Sequence, residues 1–385
     1  MTSALDILIF YNCMRIISLS LEQYRNYGTL SVDFPQEELH LFIGPNGSGK
    51  TNILEAISLL SLTKSFLGVE EEDLRQWGTE HYRVRARVRD DAGGEQELEI
   101  VSQVLPRKQK VCFHNGVKIP LSQMVGRLPV VTFLPQELAL FSGPPADRRR
   151  FLDQILCQVS PAYFVALMDY QKVLKQRNAL LKSISEGAAD VTFLAPWNEE
   201  IAVLGSAITL LRLELVGTFN LALQEETQAL GELWENVHVH YRRSGTACEK
   251  DALRQEILKG LSATVERDVI LRSTTVGPHR DDWSIDVDGH SLITFASRGQ
   301  QRVAVLALLL LQGSYLEVRR GEKPVILLDD IFSELDDAHR ERLLTAFTGH
   351  QVILTATDLP ITGQTFRGSV REVREGKIIS AVPHS

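Results

Sequence analysis

Apolar positions fall along this chain in four kinds of run, and each kind predicts a different element. Short unbroken runs mark buried strands: Leu39-His40-Leu41-Phe42-Ile43 is one, and Pro324-Val325-Ile326-Leu327-Leu328, closed by Asp329-Asp330, is another. Longer runs mark helices, from Asn52 to Ile57 after the first strand and from Val303 to about Leu316 before the second. Heptad-like spacing predicts a helix pair, with Leu167, Tyr170, Leu174, Arg177, Leu181 and Ile184 on one stripe. Ile201, Leu204, Ile208, Leu211, Leu215 and Phe219 form the other, across a linker that contains Ser185, Glu186, Gly187 and Pro196. Two antiparallel helices of about 25 residues reach only about 35–40 Å at 1.5 Å per residue. A stubby arm and an ordinary bundle core both fit that stripe. Strict alternation in Arg83-Val84-Arg85-Ala86-Arg87-Val88-Arg89 predicts a strand with four arginines on one face and Val84, Ala86 and Val88 on the core.

The turn after the first strand carries the chemistry. Gly44-Pro45-Asn46-Gly47-Ser48-Gly49-Lys50-Thr51 is a complete phosphate-binding loop between a strand and a helix. Its glycines let backbone N–H groups wrap a phosphate, and the helix N-terminus adds partial positive charge. Lys50 is placed to reach the β- and γ-phosphates of ATP, and the Thr51 hydroxyl to ligate Mg²⁺. The second strand ends as a Walker B element should. Asp329 is expected to hold the Mg²⁺, directly or through water, and Asp330 to face the attacking water.

Ser297-Arg298-Gly299-Gln300 enters the apolar helix, and Ser333-Glu334-Leu335-Asp336 follows the Walker B strand. In this order the motifs resemble those of ABC-type ATPases. That resemblance implies a two-fold dimer with ATP as its glue, in which Ser297, Gly299 and Gln300 meet the nucleotide of the partner copy. The fold class implied is α/β, an ABC-type ATPase head interrupted by a mostly helical arm.

Composition narrows the choice. A chain of 385 residues is long enough for two domains with real cores. No apolar run is expected to reach the roughly 18–20 residues of a membrane span, so no permease is expected here. Met1 to Cys13 is apolar without a basic flank, which does not suit a signal peptide. Cys13, Cys112, Cys157 and Cys248 show no paired spacing, which suits a reducing cytoplasm and argues against zinc. A soluble ATPase subunit of a transporter and an SMC-like nuclease-complex ATPase are alternative readings. The 247 positions from Lys50 to Ser297 (297 minus 50) are too many for the first and too few for the long arms of the second.

Further motifs fill the gap. They are Tyr24-Arg25-Asn26-Tyr27, Lys64-Ser65-Phe66, Gly143-Pro144-Pro145 with Arg148-Arg149-Arg150-Phe151-Leu152-Asp153, and Leu174-Lys175-Gln176-Arg177-Asn178. Thr275-Val276-Gly277-Pro278-His279-Arg280-Asp281-Asp282 completes them. With the phosphate loop and the Leu-Leu-Asp-Asp strand, this set resembles the RecF family of bacterial recombination and replication-repair ATPases. The resemblance implies ATP-dependent, sequence-independent binding of double-stranded and gapped DNA as a homodimer. It also implies slow, DNA-stimulated hydrolysis that resets a clamp, recombinase loading, RecR as direct partner and RecO nearby. The head is expected over 14–125 and 277–385 and the arm over 126–276. Residues 1–13 are expected to be an upstream start-codon extension. Leu67 and Arg298 depart from the family pattern, which usually has Arg and Gln there. Thr357 stands where transporter ATPases carry a switch histidine.

A formal net charge of −8 demands that any DNA-binding cations cluster. The arginine strand, about 20 Å long at ~3.3 Å per residue, is the candidate. Lys108 and Lys110, with Arg107, precede a second apolar stretch expected to pair with it. Asp90, Asp91, Glu95 and Glu97 could instead balance that face. Of Arg148, Arg149 and Arg150, one is expected to pair within its helix through Asp153 and the others to remain free. The 277–282 segment reads as a hydrogen-bonded turn, with a metal site as its alternative.

Overall fold

A computed structural model describes residues 12–90, 93–358 and 368–381. The chain divides into two compact units, one of Met1–Pro135 with Gln312–Ser385 and one of Gln136–Leu311.

The first unit holds two six-stranded sheets. One runs Lys377–Ala381, Ser369–Arg374, Leu39–Ile43, Val352–Ala356, Val325–Asp329, Val130–Phe133, all parallel except the first. Strands 325–329 and 352–356 are buried at every position, the pattern of a parallel sheet covered on both faces. The two unbroken runs expected as strands therefore lie in one sheet, with 352–356 between them. The second sheet is antiparallel, in the order Tyr27–Asp33, Arg15–Tyr24, His81–Arg89, Glu95–Gln103, Gln109–His114, Val117–Ile119. Its last hairpin turns on Asn115-Gly116, both at positive φ, the pair that a two-residue turn requires. Helix Lys50–Leu62 packs against both sheets, and its Ile53, Leu54, Ala56, Ile57, Leu59 and Leu60 are fully buried.

Asn12–Cys13 pairs in parallel with Glu322–Lys323. Of the expected extension, residues 1–11 lie outside the described residues.

The second unit is mainly helical. Pro161–Ser185 and Ala195–Ala229 are the expected pair, at 25 and 35 residues, joined through a short 3₁₀ turn at Val191–Leu194. Ile201, Ile208, Leu215 and Phe219 are buried, and the longer helix packs on 161–185, on Lys250–Ala263 and on strand Val237–Arg242. This is bundle core. The same helix corrects the membrane expectation, since Val191–Ala229 is long and apolar enough to cross a bilayer by composition alone. Half of its most apolar window is buried within the unit, and Arg212 on it is buried against Asp153 at 2.7 Å. Tertiary packing accounts for its composition.

The expected boundaries also shift. Strand Asp282–Val287 pairs antiparallel with Val237–Arg242 over six residues, and residues 278–311 group with the helical unit, the first unit resuming at Gln312.

Arg177 sits on the first apolar stripe yet is fully buried. Its guanidinium donates to Asp268 at 2.7 Å, to Thr274 at 2.8 Å and to Asn198 at 2.8 Å, and Asp268 is also fully buried. Removing one member of such a pair strands the other's charge. Arg177→Met is expected to cost about 3–5 kcal/mol, read as a lower denaturant midpoint with the slope unchanged.

Candidate nucleotide-binding site

The phosphate loop takes its shape from backbone that only glycine tolerates well. Gly44 has φ 153°, and a Cβ there would stand 2.2 Å from the Val373 carbonyl oxygen. Gly49 has φ 113° and supplies no side-chain cap to the helix that starts at Lys50. The amides of Lys50 and Thr51 at the start of that helix are therefore open to an anion.

A cavity of about 240 Å³ lies over them, lined by Asn46, Gly47, Gly49, Lys50, Thr51, Asn52, Pro135, Asp329 and Asp330. Every lining residue belongs to the first unit. Lys50 Nζ donates to the carbonyls of Gly44 at 2.7 Å and Pro45 at 3.0 Å, and among the described residues no carboxylate pairs with it. Burial lowers its pKa, opposed by the fields of Asp330 and Asp329. Thr51 Oγ1 donates toward both Asp329 carboxylate oxygens at 2.9 Å, which joins residues 278 apart in sequence. Thr355 Oγ1 donates to Asp329 Oδ1 at 2.6 Å and accepts from the Asp330 N–H at 3.0 Å. Burial and the neighbouring Asp329 raise the pKa of Asp330; Lys50 and the Thr357 N–H oppose them. Asp330 itself sits in the left-handed region at φ 47°.

These residues fit a triphosphate with Mg²⁺. Ser48 Oγ is buried with no hydrogen-bond partner, a donor waiting for an acceptor. Thr51 and Asp329 offer the oxygens that Mg²⁺ prefers, and the ion usually draws its other ligands from water and phosphate. Among the described residues no group of three His, Cys, Asp or Glu side chains is placed to hold a metal. His279 of the 277–282 turn bonds to Tyr170 at 2.6 Å and to the Thr274 carbonyl at 2.9 Å.

Thr355 is the member of the site that the sequence left without a role. The signal was its register, directly beside Asp329 on the neighbouring strand.

The second unit presents the Ser297 turn by itself. Ser297 Oγ accepts from the Gln300 N–H at 3.2 Å, and Gln300 Oε1 accepts from the Ser297 N–H at 3.0 Å. This reciprocal capping box opens helix Arg298–Arg320, with Ser297 and Gly299 exposed. The cap gives both side chains a local structural role.

The arginine strand is present, with Val84, Ala86 and Val88 buried as expected. Its other face is not a free cationic stripe. Arg83 meets Glu99 at 2.9 Å and Glu22 at 3.4 Å, Arg85 meets Glu99 at 3.3 Å, Arg89 pairs with Glu95, and Arg87 donates to Ser18 at 3.0 Å. Glutamates on both neighbouring strands thus neutralise it. The strand expected to pair with it, Gln109–His114, pairs instead with Glu95–Gln103, which lies between them. Lys110 is held by Glu71 at 2.6 Å and the Thr63 carbonyl at 2.8 Å, and Lys108 pairs with Glu72. In the second unit none of the three successive arginines is free. Arg148 forks onto Asp282 at 2.7 and 2.8 Å, Arg149 donates to the Asp281 carbonyl at 2.8 Å, and Arg150 pairs with Asp147 at 2.7 Å. Asp153, the expected partner, is taken by Arg212.

Residues 15–364 match the family model of the RecF/RecN/SMC N-terminal domain. The DNA replication and repair protein RecF of Enterococcus faecalis is 35% identical over 373 residues, covering 95% of this chain and 98% of the relative. RecF of Chlorobium luteolum is 33% identical over 376 residues, covering 96% and 99%. Among solved structures, a recombination mediator protein RecF with ATP, of the RecFOR pathway, superposes with TM-score 0.88 at 29% identity, covering 97% and 99%. An Smc head domain from Pyrococcus furiosus, at 13% identity and TM-score 0.50 over 95% and 96%, shares the fold alone. A phosphate loop, an Asp-Asp strand end and near full-length similarity to these proteins lead to one statement: the chain belongs to the RecF family of DNA replication and repair proteins, built on the α/β ABC-type ATPase head.

Proposed function

We propose that this chain is an ATP-dependent DNA-binding protein of recombinational repair and replication-fork maintenance. It binds ATP with Mg²⁺ in the cavity under the phosphate loop and closes as a homodimer on DNA at gaps and single-strand/double-strand junctions. There it helps to load recombinase, with RecR as direct partner and RecO acting nearby, in the cytoplasm. One observation carries the reading: Thr51 and Asp329 meet at 2.9 Å beside Lys50 and a partnerless Ser48.

Gly44 through Thr51 hold the phosphates in this scheme, and Lys50 neutralises their developing charge. Mg²⁺, when bound, would supply charge neutralisation at the phosphates. Asp329 and Thr51 would hold it, and Asp330 would take a proton from the attacking water. Ser297, Gly299 and Gln300 complete the pocket of the partner copy in trans. A helix N-terminus whose cap is satisfied by its own Gln300 still has open amides for that purpose.

DNA contact in this proposal does not rest on Arg83, Arg85, Arg87, Arg89, Lys108 or Lys110. Their glutamate partners make that surface close to neutral. Binding still should be sequence-independent and weaken steeply with salt, because it depends on backbone phosphates.

Sedimentation of the purified chain with and without ATP, Mg²⁺ and gapped DNA tests the proposal. A dimer that requires ATP and Mg²⁺ and is stabilised by DNA is expected. A monomer at high concentration under saturating nucleotide and DNA would reject it.

A further inference from the structure

A loop that turns its N–H groups toward an anion must turn the carbonyls of the same peptides away from it. Those carbonyls need donors behind the loop; the Gly376 N–H reaches the Ser48 carbonyl at 3.0 Å, and the side-chain donors come from the turn after strand Arg15–Tyr24. Asn26 Nδ2 donates to the Ser48 carbonyl at 3.0 Å, and Tyr27 OH donates to the Gly49 carbonyl at 3.0 Å. Asn26 is itself fixed, since its Oδ1 accepts from Asn52 Nδ2 at 2.8 Å. Contact is close enough to exclude a side chain at position 49. A Cβ on Gly49 would stand 2.6 Å from Asn26 Nδ2 and 2.6 Å from Tyr27 OH.

The turn is strained, and its strain is held in place. Gln23 and Arg25 occupy the left-handed region, at φ 51° and 53°. Such conformations cost energy for non-glycine residues and persist where surrounding structure enforces them. Arg25 forks onto the fully buried Glu55 at 2.7 and 2.8 Å and donates to the Asp73 carbonyl at 3.0 Å. Ser65 Oγ donates to the same Glu55 carboxylate. Two stretches that the sequence singled out without a role, 24–27 and 64–66, thus meet on one buried carboxylate of the phosphate-loop helix.

We infer that Asn26 and Tyr27 are positioning residues that hold the phosphate loop in its anion-binding shape from behind, with Arg25 and Glu55 anchoring their turn. The effect on nucleotide rests on the ATP reading proposed above; the effect on loop shape does not. Tyr27 touches a carbonyl, not the cavity, so its loss leaves the lining residues in place. Gly49's carbonyl keeps its helical bond from the Asn52 N–H at 3.0 Å, so Tyr27→Phe should fold.

The test uses the full chain with Tyr27→Phe and Asn26→Asp, the latter placing a carboxylate against the Ser48 carbonyl. Hydrogen exchange at the amides of Gly47 to Lys50, without nucleotide, is expected to quicken in Tyr27→Phe while the sheet amides stay protected. ATP binding by calorimetry is expected to weaken about fivefold in Tyr27→Phe and more than tenfold in Asn26→Asp, at a nearly unchanged nucleotide-free melting temperature for Tyr27→Phe. Unchanged exchange in Tyr27→Phe overturns the inference. So does parental ATP affinity in that variant while the parent binds ATP. If the parent binds no ATP, the proposed function fails, and the exchange experiment still decides the brace.

Discussion

Lys50→Ala is expected to abolish ATP-dependent dimerisation while leaving the fold intact. Among the described residues Lys50 Nζ bonds loop carbonyls and no carboxylate, so its removal breaks no ion pair there. It does leave Asp329 and Asp330 facing a triphosphate with no ammonium between them. Hydrogen bonds to a charged group contribute about 1.5–3 kcal/mol each, and two phosphate contacts amount to about 3 kcal/mol or more. That is about a hundredfold in ATP affinity at one site. A dimer closed on two nucleotides loses the contribution twice, about 6 kcal/mol, or on the order of 10⁴ in its association constant. Sedimentation with saturating ATP and Mg²⁺ should show only monomer. Dimers formed at the parental concentration would mean that Lys50 does not grip the phosphate.

What the chain disclosed of itself follows from how local each signal is. The phosphate loop and the Asp-Asp strand end were legible because each is set by a short stretch with its own flanking strand. Their convergence followed from the parallel sheet that carries both. The arginine strand shows the opposite case. Alternation within residues 83–89 fixed which face the arginines share, but not that Glu22 and Glu99 flank it from two different strands. Only register supplies that, and register is non-local. The pairing of Arg148 with Asp282, 134 residues away, where one of the three arginines was expected on Asp153, has the same origin. Arg177 hid among leucines because a buried arginine occupies the apolar face like any other residue there. The helix 195–229 exceeds its apolar heptad stripe at both ends, and its membrane-like composition reflects neighbours on several sides within its own unit. The first unit resumes at Gln312 and not at 277, because strand 282–287 pairs with 237–242, a contact that no spacing announces.

Asp330→Ala should separate ATP binding from ATP hydrolysis. Asp330 stands where most ABC-type ATPases carry a glutamate, and its carboxylate is withdrawn by roughly one bond. A displacement of about 1 Å at a reacting group can cost on the order of a hundredfold, so the parent is expected to turn over slowly. Removing the carboxylate altogether should lower the rate by a further 10²- to 10⁴-fold, the usual range for a general base. Lys50, Thr51 and Asp329 remain, so the variant should accumulate as an ATP-bound dimer that outlives the parent's on a sizing column. Burial and Asp329 raise the pKa of Asp330, and a base works only when deprotonated. The parent's rate should therefore fall toward acid pH earlier than an ordinary aspartate would dictate. In Asp330→Ala that acid limb should vanish. Hydrolysis by the variant at the parental rate, with the acid limb kept, would assign the proton transfer to another group.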